Sequence, residues 1–162
     1  MTFDKLYLGS VHLHSALRWL IVILLVIGIV RHLTAWLGNK HYNLTDLKRD
    51  TWLMSCAHMM LVLGLFQWYF GNLGYKLIEA GGFGGVMKNA ASRYWAVEHL
   101  TGMIIAIVLI TLGKAVGRKG ISDNDKHKKA FIFFTLAAVI IFAVMPWPFR
   151  AGIGRSLIPG MH

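Results

Sequence analysis

Apolar residues are collected into four long runs that are separated by shorter polar segments. The runs span residues 15–30, 52–70, 94–112 and 130–149, and Arg18 and Glu98 are their only acidic or basic residues besides histidine. Each run is close to the roughly 20 residues that a helix needs to cross the bilayer hydrocarbon. Because the hydrocarbon offers no water to the backbone, each crossing must be helical. The pattern predicts an all-α membrane protein, a four-transmembrane-helix up-down bundle that forms one domain over residues 1–162.

Composition supports the membrane class, and the lipid bilayer is therefore the first expected partner. Charged residues make up 15% of the chain, against about 25% in typical soluble proteins. The net charge of +10 would suit nucleic acid, but the lysines and arginines lie mostly at the edges of the apolar runs. We therefore expect no nucleic-acid partner. Cys56 is the single cysteine, which excludes an internal disulfide and a cysteine metal cluster.

The distribution of basic residues predicts the orientation of the bundle. Ten of the 17 lysines and arginines fall in the first and third connections: Arg31, Lys40, Lys48, Arg49, Lys114, Arg118, Lys119, Lys126, Lys128 and Lys129. Cytoplasmic connections carry the excess of basic residues. We therefore expect both termini on the outer side and these two connections in the cytoplasm.

Residues with capping side chains predict where three of the helices begin. Asparagine and serine at an N-cap accept a hydrogen bond from the backbone of the first turn. The candidates are Asn43 or Thr45 for the second helix, Asn89 or Ser92 for the third, and Ser122 with Asp125 for the fourth. Proline cannot continue the helical hydrogen-bond ladder, so Pro146 and Pro148 should end the fourth helix.

Several ionisable residues lie inside the apolar runs. Glu98 and His99 lie in the third run, His14 and Arg18 open the first, and His58 lies in the second. An ionisable group at membrane depth is expensive to insert, so it is a candidate functional residue that faces the bundle interior. Histidines on neighbouring membrane helices suggest a bound cofactor, for which heme b is the leading candidate.

The depth of each histidine selects the candidate ligand pair. A bis-histidine heme needs two neutral imidazoles on facing helices at comparable depth. At about 1.5 Å per residue, His14 lies roughly 13 Å and His99 roughly 7 Å outward of the midplane. His58 lies slightly to the cytoplasmic side, where His32 would be a poor partner. We therefore expect His14 and His99 to be the axial ligands of the heme iron, with His58 as a third candidate.

Neighbours of these histidines leave alternatives open. Arg18 lies one turn after His14, where it would pair with a heme propionate, pair with Glu98 or extend to the interface. Glu98 is expected to meet Arg18, Arg93 or a histidine ring. Small residues share the face of His99 and would admit a flat macrocycle or allow close helix packing. These small residues are Gly102, Ala106 and Gly113.

The other histidines and one sulfur ligand give weaker candidates. His12 points about 200° away from His14 around a helix of roughly 3.6 residues per turn, so both are not expected to face one pocket. The histidines of connections and termini are expected to be solvated: His41, His127 and His162. His99 and Met103 lie one turn apart and would offer nitrogen and sulfur to copper, which is less favoured than heme.

Three segments carry a resemblance to a known family. They read HLHSALRW over residues 12–19, YWAVEHLTGM over 94–103 and PWPFR over 146–150. The chain resembles small bacterial four-helix membrane proteins that are labelled cytochrome B, over nearly its whole length. The resemblance implies heme b binding and a place in the bacterial inner membrane. The plan is more distantly similar to heme A synthase and diheme b-type cytochromes, although this chain lacks two clear histidine pairs.

Two functional hypotheses follow from these residues and from the resemblance. The first is a b-type cytochrome-like electron-transfer protein or subunit, rather than a stand-alone enzyme, with quinol and other respiratory subunits as partners. The second is a non-catalytic accessory subunit of a larger respiratory or transport complex. In the second case the histidines, Arg18 and Glu98 would form a polar network in the core, within an oligomer or complex.

Overall fold

The computed structural model describes residues 2–156, and this part of the chain folds into helices without strands. His162, which the sequence predicts to be solvated, lies outside the described residues. Four helices are long and apolar enough to cross a membrane, which confirms the predicted all-α class. The helices are α1 Phe3–Leu37, α2 Leu44–Phe70, α3 Tyr75–Lys88, α4 Ala90–Val116 and α5 Asp123–Val144.

The capping residues begin the helices as predicted. Asn43 forms a reciprocal capping box with Asp46 at the start of α2, and the side chain of Asn89 accepts the backbone N–H of Ser92 in α4. Ser122 accepts the backbone N–H of Asp125 at the start of α5. These bonds satisfy backbone donors that the first turn of a helix leaves without a partner. Local sequence therefore fixes where three of the four long helices start.

The four long helices form a closed ring. Helix α1 packs against α2 and α5, and α4 packs against the same two helices, so that α1 and α4 lie diagonally opposite. Consecutive long helices are joined at alternate ends of the bundle, by residues 38–43, 71–89 and 117–122, so they run antiparallel. One end of the bundle, with residues 71–74 and 145–156, borders a cavity, and we call it the cavity end. We call the other end, with residues 38–43 and 117–122, the basic end. Helix α3 belongs to the connection at the cavity end.

Two glycines let α4 pack closely against α5. A Cβ atom at Gly113 would overlap the ring of Phe134, and one at Gly102 would overlap the side chain of Val144. Phe134 is fully buried at the centre of the apolar core. For these glycines the structure supports the close-packing alternative over room for a macrocycle, while Ala106 of the same face borders a cavity.

Candidate cofactor site

A cavity of about 710 Å³ lies between the four long helices, in the half of the bundle toward the cavity end. Its inner wall is apolar and reaches Ile21 and Ile110 of the buried core. Exposed side chains, among them Leu8 and Asn72, border its mouth. The cavity therefore runs from the middle of the bundle to the surface at the cavity end.

The structure brings His14 and His99, the two predicted ligands, to this one cavity. His14 projects from α1 and His99 from α4, so the two rings enter from diagonally opposite helices. This arrangement places two imidazoles on opposite sides of one apolar space.

A backbone carbonyl fixes the orientation of His99. Its Nδ1–H donates to the carbonyl oxygen of Val144 at 3.0 Å, which leaves Nε2 as the nitrogen with a lone pair. In a continuing helix that carbonyl would accept the N–H of residue 148, but Pro148 has no N–H. Since α5 ends at Val144, ahead of both prolines, this carbonyl is free to orient the histidine.

The backbone just before His99 forms one turn of π-helix, Tyr94–Glu98. Such turns insert an extra residue into an α-helix and occur often at functional sites. The hydroxyl of Tyr94 donates to the same Val144 oxygen at 2.6 Å. Because Gly102 lets Val144 approach α4, the turn, the glycine and the carbonyl together hold the His99 ring against α5.

His14 and Arg18 occupy the opposite wall. The Nε2 atom of His14 lies against Gly64 of α2, where a Cβ atom would be in ordinary contact at 3.6 Å. The Nη2 of Arg18 donates to the hydroxyl of Ser15 at 3.0 Å, and its guanidinium lies over the Trp19 ring at 5.5 Å. Arg18 also lines the cavity, so it brings a cation to the same space as the two histidines.

Glu98 does not face the bundle interior, so that expectation is wrong. Its carboxylate accepts a hydrogen bond from Nε of Arg93 at 2.6 Å, and 44% of its side chain is exposed. A π turn places residues five apart on one face, which brings Arg93 over Glu98. Of the three expected partners, Arg93 is therefore the one that the structure shows, and Glu98 is separated from the cavity that Arg18 lines.

His58, the third candidate, lies away from the cavity. It is exposed on the surface of α2, and its Nδ1–H donates to the carbonyl of Met54 at 3.0 Å. Its Nε2 lies 3.5 Å from the hydroxyl of Thr111. The structure therefore does not bring His58 together with His14 and His99.

Two further histidine expectations are corrected. His12 borders the cavity along with His14, although the side chain of His12 is exposed. His127, expected to be solvated, is fully buried and meets His32 at the basic end. The side chain of His41 is 97% exposed, as expected.

Sequence reasoning missed two features of the site. The first was the carbonyl of Val144. Pro148, four residues later, has no N–H to donate to it and could have indicated that this acceptor is free. Arg155 was the other: it borders the cavity and its guanidinium lies 5.1 Å from the centre of the Trp95 ring. No local pattern around Arg155 indicates this position, because it depends on how the chain folds back after α5.

The donors at the cavity bear on which group it can hold. Within residues 2–156, no group of three or more His, Cys, Asp or Glu side chains could hold a metal ion. A heme iron needs only two axial ligands from the protein, and the residues that line the cavity include His14 and His99.

The fold and the site define the class of this chain as an all-helical protein with four apolar helices, typical of multi-pass membrane proteins, around one histidine-lined cavity. Comparison with protein-family models, curated proteins and solved structures gives no match.

Proposed function

We propose that this chain is a b-type cytochrome-like membrane protein that binds heme b in the central cavity and passes electrons in a respiratory membrane. The observation that carries the proposal is the pair His14 and His99, on diagonally opposite helices around one apolar cavity. Two imidazoles from facing helices are the ligand set of a six-coordinate heme.

Size and lining support the proposal. Cofactor pockets range from about 300 to 1,000 Å³ and are mainly apolar, and the cavity of about 710 Å³ falls within this range. The hydrogen bond from His99 to Val144 is the kind of outer contact that fixes the tautomer of a metal-binding histidine. Heme, when bound, supplies one-electron transfer.

Each protein group has a distinct part in this proposal. His14 and His99 would hold the iron, and the apolar walls would exclude water and so tune its potential. Arg18 would pair with a carboxylate of the macrocycle. Quinol, other respiratory subunits and the bacterial inner membrane are part of the proposal through the family resemblance described above.

The accessory-subunit hypothesis loses its specific support. It required Arg18 and Glu98 to form one polar network with the histidines. In the structure Glu98 pairs with Arg93 at an exposed position, whereas Arg18 lines the cavity. The copper alternative keeps His99 and Met103 on one cavity wall, and metal analysis of purified protein separates copper from iron.

Protein purified in mild detergent from heme-replete cells is expected to contain non-covalent heme b. It should show a Soret band, and its visible bands should shift on reduction. Since two histidines would ligate the iron, the spectrum should be low-spin. Extraction into acidified organic solvent should remove the heme, because the chain has one cysteine and no Cys-x-x-Cys-His segment. A colourless protein that takes up no added hemin would contradict the proposal.

We also propose that both termini lie on the outer side, with the basic end in the cytoplasm. Single cysteines at Gly84, in α3, and at Gly120, near the basic end, test this in a Cys56→Ala background. Both glycines have open space around the position of a Cβ atom, so neither change should disturb the fold. An impermeant thiol reagent should label Gly84→Cys in intact cells and Gly120→Cys only after permeabilisation. The opposite pattern would reverse the orientation.

A further inference from the structure

A second group of ionisable side chains is buried at the basic end. His32 of α1 and His127 of α5 are fully buried, and Asp50 of α2 is 1% exposed. Tyr42, in the connection between α1 and α2, covers them with its ring stacked against that of His32. We call these four residues the histidine-pair cluster. Ionisable groups at such positions are expensive, and they mark proton relays in many membrane proteins.

The hydrogen bonds of this cluster form a continuous chain. Nδ1 of His32 lies 2.8 Å from Nδ1 of His127, and Nε2 of His32 lies 3.1 Å from one oxygen of Asp50. The Tyr42 hydroxyl donates to the other oxygen of Asp50 at 2.7 Å. The two Nδ1 atoms are in direct hydrogen-bond contact, so no metal ion fits between them.

These contacts determine where the protons lie. An ionised Asp50 only accepts, so Nε2 of His32 must carry a hydrogen. Neutral His32 then has a lone pair on Nδ1, and His127 must donate its Nδ1–H to it. That assignment leaves a lone pair on Nε2 of His127. This buried atom makes no hydrogen bond among residues 2–156, which makes it the open end of the chain.

The open end lies beside the connection between α1 and α2. The backbone of His41 is near the His127 ring, and the side chain of His41 is 97% exposed. One connecting segment thus separates His127 from the solvent at the basic end. At the other end of the chain, burial and the Asp50 carboxylate raise the pKa of Tyr42, so the phenol keeps its proton as a donor to Asp50.

Asp50 is the carboxylate that contacts the pair of His32 and His127. On α1 and α2, Arg31 and Arg49 both bind Asp46, which occupies that carboxylate. Other charged or titratable groups at the basic end include His41 in the connection, Lys114 of α4, and Asp123 and Lys126 of α5. Asp123 binds His41 and Lys126.

We propose that the histidine-pair cluster is a proton-exchange site that takes up one proton from the aqueous phase at the basic end. The proton binds to Nε2 of His127. The Nδ1–H bond of His127 then breaks as an Nδ1–H bond forms on His32, which becomes an imidazolium beside the Asp50 carboxylate. One proton is gained in total, and it is released by the reverse steps.

This site is independent of the proposed heme. His32 lies 18 positions after His14 on the same helix, which is about 27 Å at about 1.5 Å per residue. A protein without heme would therefore still carry the proton site, and a heme protein without proton exchange would leave the cofactor proposal intact.

The test is a pH titration of ¹⁵N-histidine-labelled full-length protein in lipid nanodiscs, followed by NMR. At high pH the wild-type protein should show His32 as the Nε2–H tautomer and His127 as the Nδ1–H tautomer. On acidification both rings should change in a single transition. Finding His127 as the Nε2–H tautomer at high pH, or two unrelated transitions, would overturn the proposal without any variant.

Asp50→Asn provides the second measurement. Asparagine keeps the size of the side chain but removes the negative charge beside His32. The midpoint of the shared transition should fall by at least about one pH unit, since an opposite charge within hydrogen-bond distance stabilises the protonated ring. An unchanged midpoint in the folded variant would overturn the proposal. His41→Gln, at an exposed histidine of the same end, is the matched control and should leave the midpoint in place.

Discussion

Replacement of His99 by alanine is expected to lower heme occupancy at least tenfold, or to leave a high-spin heme with one histidine ligand. His99 lines the cavity, and the hydrogen bond of its Nδ1–H to the Val144 carbonyl leaves Nε2 as the ligand atom. Even loss of an outer contact typically lowers metal affinity 10–100-fold, and loss of the ligand itself should do no less. The measurement is the heme-to-protein ratio with the spin-state bands of the purified variant.

Two matched variants separate ligation from general loss of structure. His58→Ala removes a histidine of another helix that lies away from the cavity, and it should keep full low-spin heme. Glu98→Gln breaks the exposed pair with Arg93, which should change stability by about 1 kcal/mol or less and leave the spectrum unchanged. An intact low-spin spectrum in folded His99→Ala protein would show that His99 is not a ligand.

The membrane helices could be predicted because their signals are local. Runs of about 20 apolar residues define crossings, and Asn43 and Ser122 each act within the first turn of their own helix. The joint position of His14 and His99 was also accessible, since depth along a helix follows from the residue number. These predictions need only the sequence and the length of one helical turn.

Glu98 shows where such reasoning fails. A straight α-helix would set Glu98 and His99 on neighbouring faces near the interior, but Tyr94–Glu98 forms a π turn. The turn arises from tertiary packing: Tyr94 reaches the Val144 carbonyl of another helix. The sequence of residues 94–98 does not indicate that Tyr94 will contact Val144. The extra residue of the π turn and the outward position of Glu98 therefore could not be predicted.

The burial of His127 is a different case, because the sequence did contain a pattern that indicated it, but the neighbouring lysines were given more weight. It sits in a basic run with Lys126, Lys128 and Lys129, which favours a solvated interface. The buried residues of α5 are nevertheless spaced by three and four positions, as on one face of a helix: His127, Ala130, Phe134, Ala137 and Ile141. Periodicity continued one turn into the polar segment would have placed His127 inside.

Asp46→Ala is expected to destabilise the bundle by about 3 kcal/mol, at the lower end of the range for breaking a buried ion pair. Asp46 is 1% exposed and accepts hydrogen bonds from Nε and Nη2 of Arg31 at 2.8 and 3.0 Å and from Nη1 of Arg49 at 3.1 Å. Its removal leaves two partly buried guanidinium groups without their carboxylate and opens the capping box with Asn43. The lower end applies because each arginine keeps 24% of its side chain exposed. The measurement is unfolding in mixed detergent micelles.

Asp123→Ala is the control for this loss of a carboxylate at the basic end. Asp123 also meets two cationic or titratable partners, His41 and Lys126, but its side chain is 34% exposed, and solvent screening weakens such pairs. Its replacement should barely move the unfolding midpoint. Both variants should keep the spectrum of the wild-type protein while folded, since the cavity lies in the other half of the bundle. Equal destabilisation by the two substitutions would mean that burial of Asp46 does not strengthen its ion pairs.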